Sequence, residues 1–78
     1  MEIREVLAHN LRRLRTLRDM SQEELAHRAE IDRTYISALE RSVYAASIDV
    51  VDRLARALGV DSAELLTGPL TEGSEEQS

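Results

Sequence analysis

Seventy-eight residues allow one small domain, because a chain of this length buries only about 60% of its unfolded surface and cannot support two separate cores. The absence of Cys excludes disulfides and thiolate zinc sites, and it fits the reducing cytoplasm in which we expect this protein. No apolar run approaches the roughly 20 residues that cross a bilayer, and the N-terminus MEIREV lacks the layout of a signal peptide, so we expect no membrane contact.

The formal net charge of −5 is unevenly distributed along the chain. Residues 71–78 carry −3 with no basic side chain, whereas residues 9–18 carry +4 with no acid. All ten fixed positive charges are arginines, and the guanidinium group suits bidentate contacts with phosphate or carboxylate. An electropositive face is therefore compatible with an acidic total.

The first predicted element is an amphipathic helix over residues 2–18. Apolar residues recur there at intervals of three and four, which places them on one side of a helix. This inner stripe consists of Leu7, Leu11, Leu14 and either Leu17 or Arg18. The arginines occupy the remaining arc, and those that we expect to be solvated are Arg12, Arg13 and Arg18.

Two short helices follow, joined by a turn of about three residues. The first covers residues 21–30 and begins with a capping box, in which Ser21 and Glu24 each satisfy a free backbone N–H of the other. Its inner face is formed by Leu25, Ala26 and Ala29. The second runs from about residue 33 to residue 41, with Asp32 as its N-cap.

The remaining helices are predicted from their first and last residues. Ser47 caps a fourth helix that ends at Gly59, a residue favoured for a left-handed C-cap. Its inner stripe is Ile48, Val51, Leu54, Ala55 and Leu58. A fifth helix begins at Asp61, where DSAE repeats the capping-box pattern, and it ends at Gly68-Pro69. Its inward-facing residues are Leu65 and Leu66.

The predicted fold class is all-α, because five short helices account for residues 1–70 and no stretch alternates with the period of a strand. These residues form one compact domain. Residues 71–78, TEGSEEQS, have no apolar anchor, and we expect an acidic, disordered tail there.

The chain shows no pattern of catalytic or metal-binding residues. His9 and His27 lie on different predicted helices, Cys is absent, and the carboxylates are spread over helix starts and faces. The glycines Gly59, Gly68 and Gly73 form no phosphate-binding loop. We therefore expect no enzyme, no catalytic residue, no metal and no cofactor.

The helix pair over residues 21–41 remains as the candidate for function. Two short helices joined by such a turn can place the second helix in the major groove of DNA. A purely structural helical hairpin has the same apolar spacing, so periodicity alone does not distinguish the two.

The segment LRRLRTLRDMSQEELAHRAEIDRTYISALER, residues 11–41, resembles the Cro/repressor-type helix-turn-helix family of bacterial regulators, also called the xenobiotic-response-element family. The shared pairs and runs are Leu14-Arg15, Ser21 to Ala26, Ile36-Ser37 and Glu40-Arg41. The run DRTYIS is especially similar to the small controller proteins of restriction-modification systems. The resemblance spans about residues 7–66 and implies a lambda-repressor-like DNA-binding domain with its helix-turn-helix at the second and third helices.

The third helix carries the residues that we expect to read bases. Arg33 and Thr34 open it, and the N-terminal residues of such a helix lie nearest the base edges. Arg can hold guanine O6 and N7 together, and Thr can donate a hydrogen bond or meet a thymine methyl group. Ser37 lies one turn further on the same face.

Other residues are expected at the DNA backbone. Gln22 lies in the first turn of the second helix, where the dipole favours a phosphate, and in the family this glutamine is a phosphate anchor. Arg41 is placed for phosphates beside the groove. For Tyr35 two roles are equally expected: a contact with the sugar-phosphate chain, or a core position with its hydroxyl at the surface. The candidate DNA-contacting residues are Ser21, Gln22, Arg33, Thr34, Tyr35, Ser37 and Arg41.

The resemblance also implies a structural ion pair between Arg15 and Glu40, on the first and third helices. Three positions that usually hold glycine in the family carry Asp19, Glu30 and Ser42 instead. Each lies at a helix exit, where φ is often positive. Glu or Ser held there should be less stable than Gly by about 1 kcal/mol.

We expect a homodimer, because the loop VYAAS at residues 43–47 has no basic residue and implies modest DNA affinity for a single copy. A dimer adds two half-sites about 34 Å apart. The expected dimer interface is Leu65, Leu66 and Leu70, with a core position as the alternative for Leu65.

The sequence therefore favours a dimeric transcriptional regulator that recognises a palindromic operator in double-stranded DNA. The alternative is a protein-interaction adaptor, such as an antitoxin that binds its toxin or a factor that contacts RNA polymerase. The acidic second half of the chain and the uncharged loop favour this alternative.

Overall fold

The computed structural model describes residues 2–68, and these residues form five α-helices without a strand. In chain order the helices are α1 (Ile3–Leu17), α2 (Gln22–Ala29), α3 (Arg33–Glu40), α4 (Ile48–Leu58) and α5 (Ser62–Leu66). The all-α prediction is confirmed, and the helix bounds differ from the predicted ones by no more than fraying at the ends. The expected tail, residues 71–78, lies outside the described residues.

Aliphatic side chains from all five helices build the core. Helix α1 packs against α3 and α5, α2 packs against α3 and α4, and α4 packs against α5. The largest fully enclosed residues are Leu11, Leu25, Ile36, Leu39, Leu54, Leu58 and Leu65. Burial of each such side chain contributes about 1.5–3 kcal/mol, so this cluster fixes the positions of the polar surfaces around it.

Three apolar residues that were predicted on inner faces lie at the surface instead. The exposed fraction is 65% for Leu17, 88% for Ile48 and 39% for Leu66. Leu17 is the last residue of α1, Ile48 the first of α4 and Leu66 the last of α5, so each lies at a helix terminus. Periodicity predicts the face of a helix, but it does not say how far the covering element extends.

Three helices begin with a side-chain oxygen that accepts a first-turn N–H, as predicted: Ser21 Oγ from Glu24 (3.0 Å), Asp32 Oδ1 from Thr34 (2.8 Å) and Ser47 Oγ from Val50 (3.1 Å). The predicted capping box of α2 is only half formed, because the Glu24 carboxylate pairs with Arg28 at 2.6 Å. The box predicted for α5 is wrong, since Asp61 makes no side-chain cap bond.

The predicted left-handed helix exits are confirmed. Asp19, Glu30 and Ser42 have φ values of 57°, 59° and 61°. Gly59 ends α4 with φ of 74°, as predicted for its C-cap. Three residues other than glycine are therefore held in the left-handed backbone conformation, which costs an L-residue about 1–2 kcal/mol.

Side chains from neighbouring helices satisfy carbonyl oxygens at several helix C-termini. The donors and acceptors are Arg12 to Glu40 O, Arg18 Nε to Leu58 O (2.9 Å), Arg53 Nη1 to Glu30 O (3.3 Å) and Asn10 Nδ2 to Leu65 O and Thr67 O (both 2.9 Å). The last carbonyls of a helix lack partners within it and carry its negative partial charge, so a guanidinium suits them. Arg12, Arg13 and Arg18 are all exposed, as predicted, and Arg12 and Arg18 in addition donate the hydrogen bonds described above.

Candidate nucleic-acid interface

Helices α2 and α3 are joined by residues 30–32, the three-residue turn that the sequence predicts. Glu30 takes the left-handed conformation, which allows the Ile31 N–H to donate to Ala26 O at 2.9 Å. Ile31 packs against the core, and Asp32 then caps α3. The turn is thus fixed by a backbone bond, an apolar anchor and a cap, which sets α3 against α2.

Helix α3 has a buried side and a polar side. Ile36 and Leu39 are 0% and 1% exposed and hold the helix against the core. On the other side, Arg33 and Thr34 are exposed and Ser37 is half-buried. The structure therefore brings the three predicted base-reading residues together on one accessible face of a helix that cannot rotate without opening the core.

Arg41 and Tyr35 border this polar face. Arg41 follows the last residue of α3, is exposed, and donates Nε to Ser37 O at 3.3 Å. Tyr35 is half-buried against the core, and its hydroxyl lies 3.4 Å from Ala45 O. Its ring meets Tyr44 edge-on, with centroids 6.0 Å apart. The tyrosine thus ties α3 to the loop at residues 43–47, with its hydroxyl at the surface.

The start of α2 lies beside the end of α3. Ser21 is the N-cap, so its hydroxyl oxygen is already engaged with the Glu24 N–H. Gln22 is the first helical residue, and its Nε2 donates to Glu40 Oε1 at 3.1 Å. First-turn N–H groups have no partner within a helix and lie at its positive end, so this corner can hold an anion.

Arg15 and Glu40 form the ion pair that the resemblance implied. Arg15 Nε lies 2.7 Å from Glu40 Oε2, and Nη2 lies 3.1 Å from Oε1. Arg15 Nη1 also donates to Met20 O at 2.8 Å. The side chains are only 19% and 4% exposed. The hydrogen bonds that Arg15 donates to the Glu40 carboxylate raise the pKa of Arg15 above its ordinary value, although burial acts in the opposite direction.

Of the residues predicted for the dimer interface, Leu65 takes the core position that was its alternative, whereas Leu66 is at the surface. Leu65 is fully buried, because its side chain fills the core between α5 and its neighbours. Leu66 is at the surface and lines a groove of about 240 Å³ together with Ile3 and Ile48. Leu70 lies outside the described residues. One exposed apolar surface is therefore a groove between the starts of α1 and α4 and the end of α5, which we call the apolar groove.

Three features of the site were not predicted from the sequence. Asn10, which fastens the end of α5 to α1, sits in a polar gap within a leucine stripe, a signal for a buried hydrogen bond. Ile3 and Ile48 continue the apolar stripes of α1 and α4 to the first helical residue, where a partner helix no longer covers them. The bond between Gln22 and Glu40 has no local sequence signal, because it joins different helices.

Within residues 2–68, no helix has the length and apolar character needed to cross a bilayer. The same residues contain no cluster of three or more His, Asp or Glu side chains suited to a metal ion.

A family model described as helix-turn-helix matches residues 11–65, which is more than half of the chain. This protein belongs to the helix-turn-helix family. The match covers α2 and α3, so this pair of helices lies within the segment that the family model describes. The resemblance recognised in the sequence is confirmed.

The proteins similar to this helix-turn-helix protein include transcription factors and controller proteins. A hypothetical transcription factor from Neisseria meningitidis is 43% identical over 68 residues, which cover 87% of this chain but only 64% of that protein. Its crystal structure gives a TM-score of 0.85, with 87% of this chain and 78% of that chain covered. Control protein C.SmaI from Serratia marcescens is 39% identical over 67 residues, covering 86% of this chain and 80% of that protein.

A third relative has been crystallised with DNA. The restriction-modification controller protein C.Esp1396I was solved as a tetramer in complex with its natural 35 base-pair operator. It is 26% identical to this chain, with a TM-score of 0.76 and coverage of 83% of this chain and 86% of that chain. The prediction of a helix-turn-helix regulator, with likeness to controller proteins, is confirmed at the level of the family.

Proposed function

We propose that this helix-turn-helix protein is a sequence-specific transcriptional regulator that binds a palindromic operator in double-stranded DNA as a homodimer. It acts in the cytoplasm, without catalytic activity or a cofactor. The observation that carries the proposal is the accessible polar face of α3, which is held in one orientation by Ile36 and Leu39. The operator complex of C.Esp1396I supports DNA as the ligand of this face.

Base recognition is assigned to Arg33, Thr34 and Ser37. Arg33 and Thr34 occupy the first turn of α3, the part of a recognition helix that enters the major groove most deeply. The Arg33 guanidinium suits guanine, whereas Thr34 and Ser37 are short hydroxyl side chains that adapt to more than one base edge. Arg33 is therefore the main source of discrimination, with about 1–3 kcal/mol expected for a good bidentate contact.

Phosphate contacts are assigned to the residues at the edges of the polar face. Gln22 and Ser21 stand at the positive end of α2, where exposed N–H groups attract a phosphate oxygen. Arg41 stands at the opposite end of α3 and reaches the backbone across the groove. Tyr35 contributes the edge of its ring and its hydroxyl beside the sugar-phosphate chain. Together these contacts set the register of α3.

The apolar groove is proposed as the surface that binds a second copy of the chain. Ile3, Ile48 and Leu66 are 58%, 88% and 39% exposed, and an apolar surface of this kind marks an interaction site. Leu70 follows closely in the sequence and remains part of the proposal. A two-fold dimer places two α3 helices on successive major grooves about 34 Å apart. The tetramer of C.Esp1396I supports self-association.

The test is selection of bound DNA from a random pool, followed by titration of the selected site with salt. We expect a palindromic motif and an affinity that falls steeply with salt concentration. Arg33→Ala should relax sequence preference at one position of each half-site. Arg41→Ala should weaken binding to all sequences alike and reduce the salt slope by about 1.

Failure to enrich any motif would contradict the proposal. In that case the adaptor alternative, with a toxin or RNA polymerase as the partner of the same surface, becomes the better explanation.

A further inference from the structure

Glu40 lies at the junction of three elements. Its carboxylate accepts hydrogen bonds from Arg15 of α1 at 2.7 and 3.1 Å and from Gln22 of α2 at 3.1 Å. Glu40 itself belongs to the last turn of α3 and is 4% exposed. The residue that ends the recognition helix therefore also holds the side chain proposed to meet a phosphate.

The chemistry of the carboxylate fixes the orientation of the Gln22 amide. An amide side chain presents an oxygen at one end and an NH₂ group at the other, and free in water it can present either end. A carboxylate paired with an arginine only accepts hydrogen bonds, so the NH₂ group must face Glu40. One N–H is used by Glu40, and the second N–H of the same group is left to donate to another acceptor.

The negative charge of Glu40 is balanced by Arg15, although Glu40 lies close to the proposed phosphate site. A lone carboxylate close to the start of α2 would repel a phosphate bound there. Arg15 offsets this charge with two hydrogen bonds, and the half-exposed Gln22 donates a third hydrogen bond to the same carboxylate. Arg15 thus permits a carboxylate to orient Gln22 without a net negative charge at the phosphate corner.

We propose that Glu40 is a positioning residue for DNA binding, which orients the Gln22 amide so that its free N–H meets a backbone phosphate when α3 enters the groove. The inference rests on the proposed DNA-binding function. It assigns to the Arg15–Glu40 pair a role beyond stability. The carboxylate at the end of α3 also orients the side chain of α2 that contacts a phosphate.

The experiment removes the orienting pair while keeping the net charge and the fold. The double variant Arg15→Met/Glu40→Met replaces both charges with apolar side chains of similar length, a change that is often neutral for stability. Operator affinity is measured for this variant, for Gln22→Ala, and for their combination, by fluorescence anisotropy on the selected DNA. Thermal melting of each variant identifies a temperature at which all are folded.

We expect the double methionine variant to weaken binding about tenfold when Gln22 is present, the size of one hydrogen bond to a charged group. In the Gln22→Ala background the same change should weaken binding less than about twofold, because there is no amide to orient. The matched control is Arg41→Ala. Its fold loss of operator affinity should multiply with that of the double methionine variant, because the phosphate contact of Arg41 does not depend on Glu40.

Glu40→Gln provides a second test if the methionine variant is too unstable for the assay. A glutamine can face Gln22 with either its oxygen or its NH₂ group, so a smaller loss of affinity is expected, again only when Gln22 is present. Equal losses with and without Gln22 in both series would overturn the proposal and leave Glu40 a purely structural residue. If the unmodified protein binds no selected DNA, the proposed function fails instead, and the two failures are distinguishable.

Discussion

Glu30→Gly is expected to stabilise the protein, although it removes a side chain. Glu30 ends α2 with φ of 59° and ψ of 47°, the left-handed conformation that glycine adopts without steric penalty. The side chain is exposed, so its loss removes no packing. The contact of Arg53 with this residue involves the Glu30 carbonyl oxygen, at 3.3 Å, and survives the substitution.

The expected gain is the difference between two backbone effects. Relief of the left-handed conformation contributes about 1–2 kcal/mol, whereas the greater freedom of glycine in the unfolded chain costs about 0.5–1 kcal/mol. The net stabilisation is therefore about 0.5–1 kcal/mol, which corresponds to a Tm increase of roughly 2–8 °C for a domain of this size. The same conformation at Gly59 supplies the reverse experiment. A Cβ there meets no atom within 4 Å, so Gly59→Ala should lose about 1 kcal/mol from backbone strain alone.

Thermal and urea unfolding followed by circular dichroism measure both changes. Protein concentration must be held fixed, because self-association raises the apparent stability. Glu30→Gln is the control, since it removes the negative charge from the C-terminal end of α2 but keeps the strained backbone. Only the part of the stability gain of Glu30→Gly that exceeds the gain of Glu30→Gln reports on the left-handed backbone conformation. A Glu30→Gly variant that melts no higher than Glu30→Gln, while Gly59→Ala is destabilised, would refute the reasoning for this turn.

Three further substitutions test packing and assembly. Arg15→Ala leaves the Glu40 carboxylate buried without its partner and should cost about 3–5 kcal/mol, seen as a large fall in Tm; an unchanged melting curve would contradict a structural role for the pair. Asn10→Ala leaves the carbonyls at the end of α5 without their donor and should cost about 1–3 kcal/mol in urea unfolding, whereas loss below about 0.5 kcal/mol would mean that water replaces it. Ile48→Ser should weaken the dimer in sedimentation equilibrium, while Val43→Ser, an exposed change outside the apolar groove, should not; equal effects would exclude the groove as the interface.

The features that could be predicted from the sequence depend on chemistry within a few residues. Ser21, Asp32 and Ser47 were recognised as caps because an oxygen at that position reaches an N–H two or three residues ahead. The strain at Glu30 was recognised because glycine is usual there in the family. DSAE at the start of α5 shows the limit of such patterns, since Asp61 makes no cap bond.

The errors concern surfaces that depend on how far one helix covers another. Leu65 and Leu66 are adjacent in α5, yet one is fully buried and the other lines the apolar groove. Ile48 belongs to the apolar stripe of α4 but is 88% exposed. Sequence periodicity places such residues on the correct side of a helix. Only the packed arrangement shows which of them remain available to a second copy.

The arginines of residues 9–18 alter the interpretation of the charge pattern. In the sequence, their +4 charge makes an electropositive face compatible with the acidic total. In the folded domain, Arg12, Arg15 and Arg18 each donate to a carbonyl oxygen at or beyond the end of a helix, and Arg15 also binds Glu40. Guanidinium groups are suited to this role because several donors share one rigid plane, which a Lys ammonium cannot reproduce.

Three of these four arginines therefore also hold helices together, although Arg12 and Arg18 remain exposed. The phosphate contacts proposed for each copy are those of Arg41 and the corner at Gln22, with the exposed Arg12, Arg13 and Arg18 as a further source of weak attraction. For one copy we expect a logarithmic slope of about −1 to −3, at roughly −0.9 per phosphate neutralised, and for the dimer about twice that slope, which is the steep dependence expected of the operator complex. Affinity measured against salt for Ile48→Ser and the unmodified protein tests this directly. A slope steeper than about −4 for the monomeric variant would mean that the arginines of α1 leave their carbonyl partners when DNA binds.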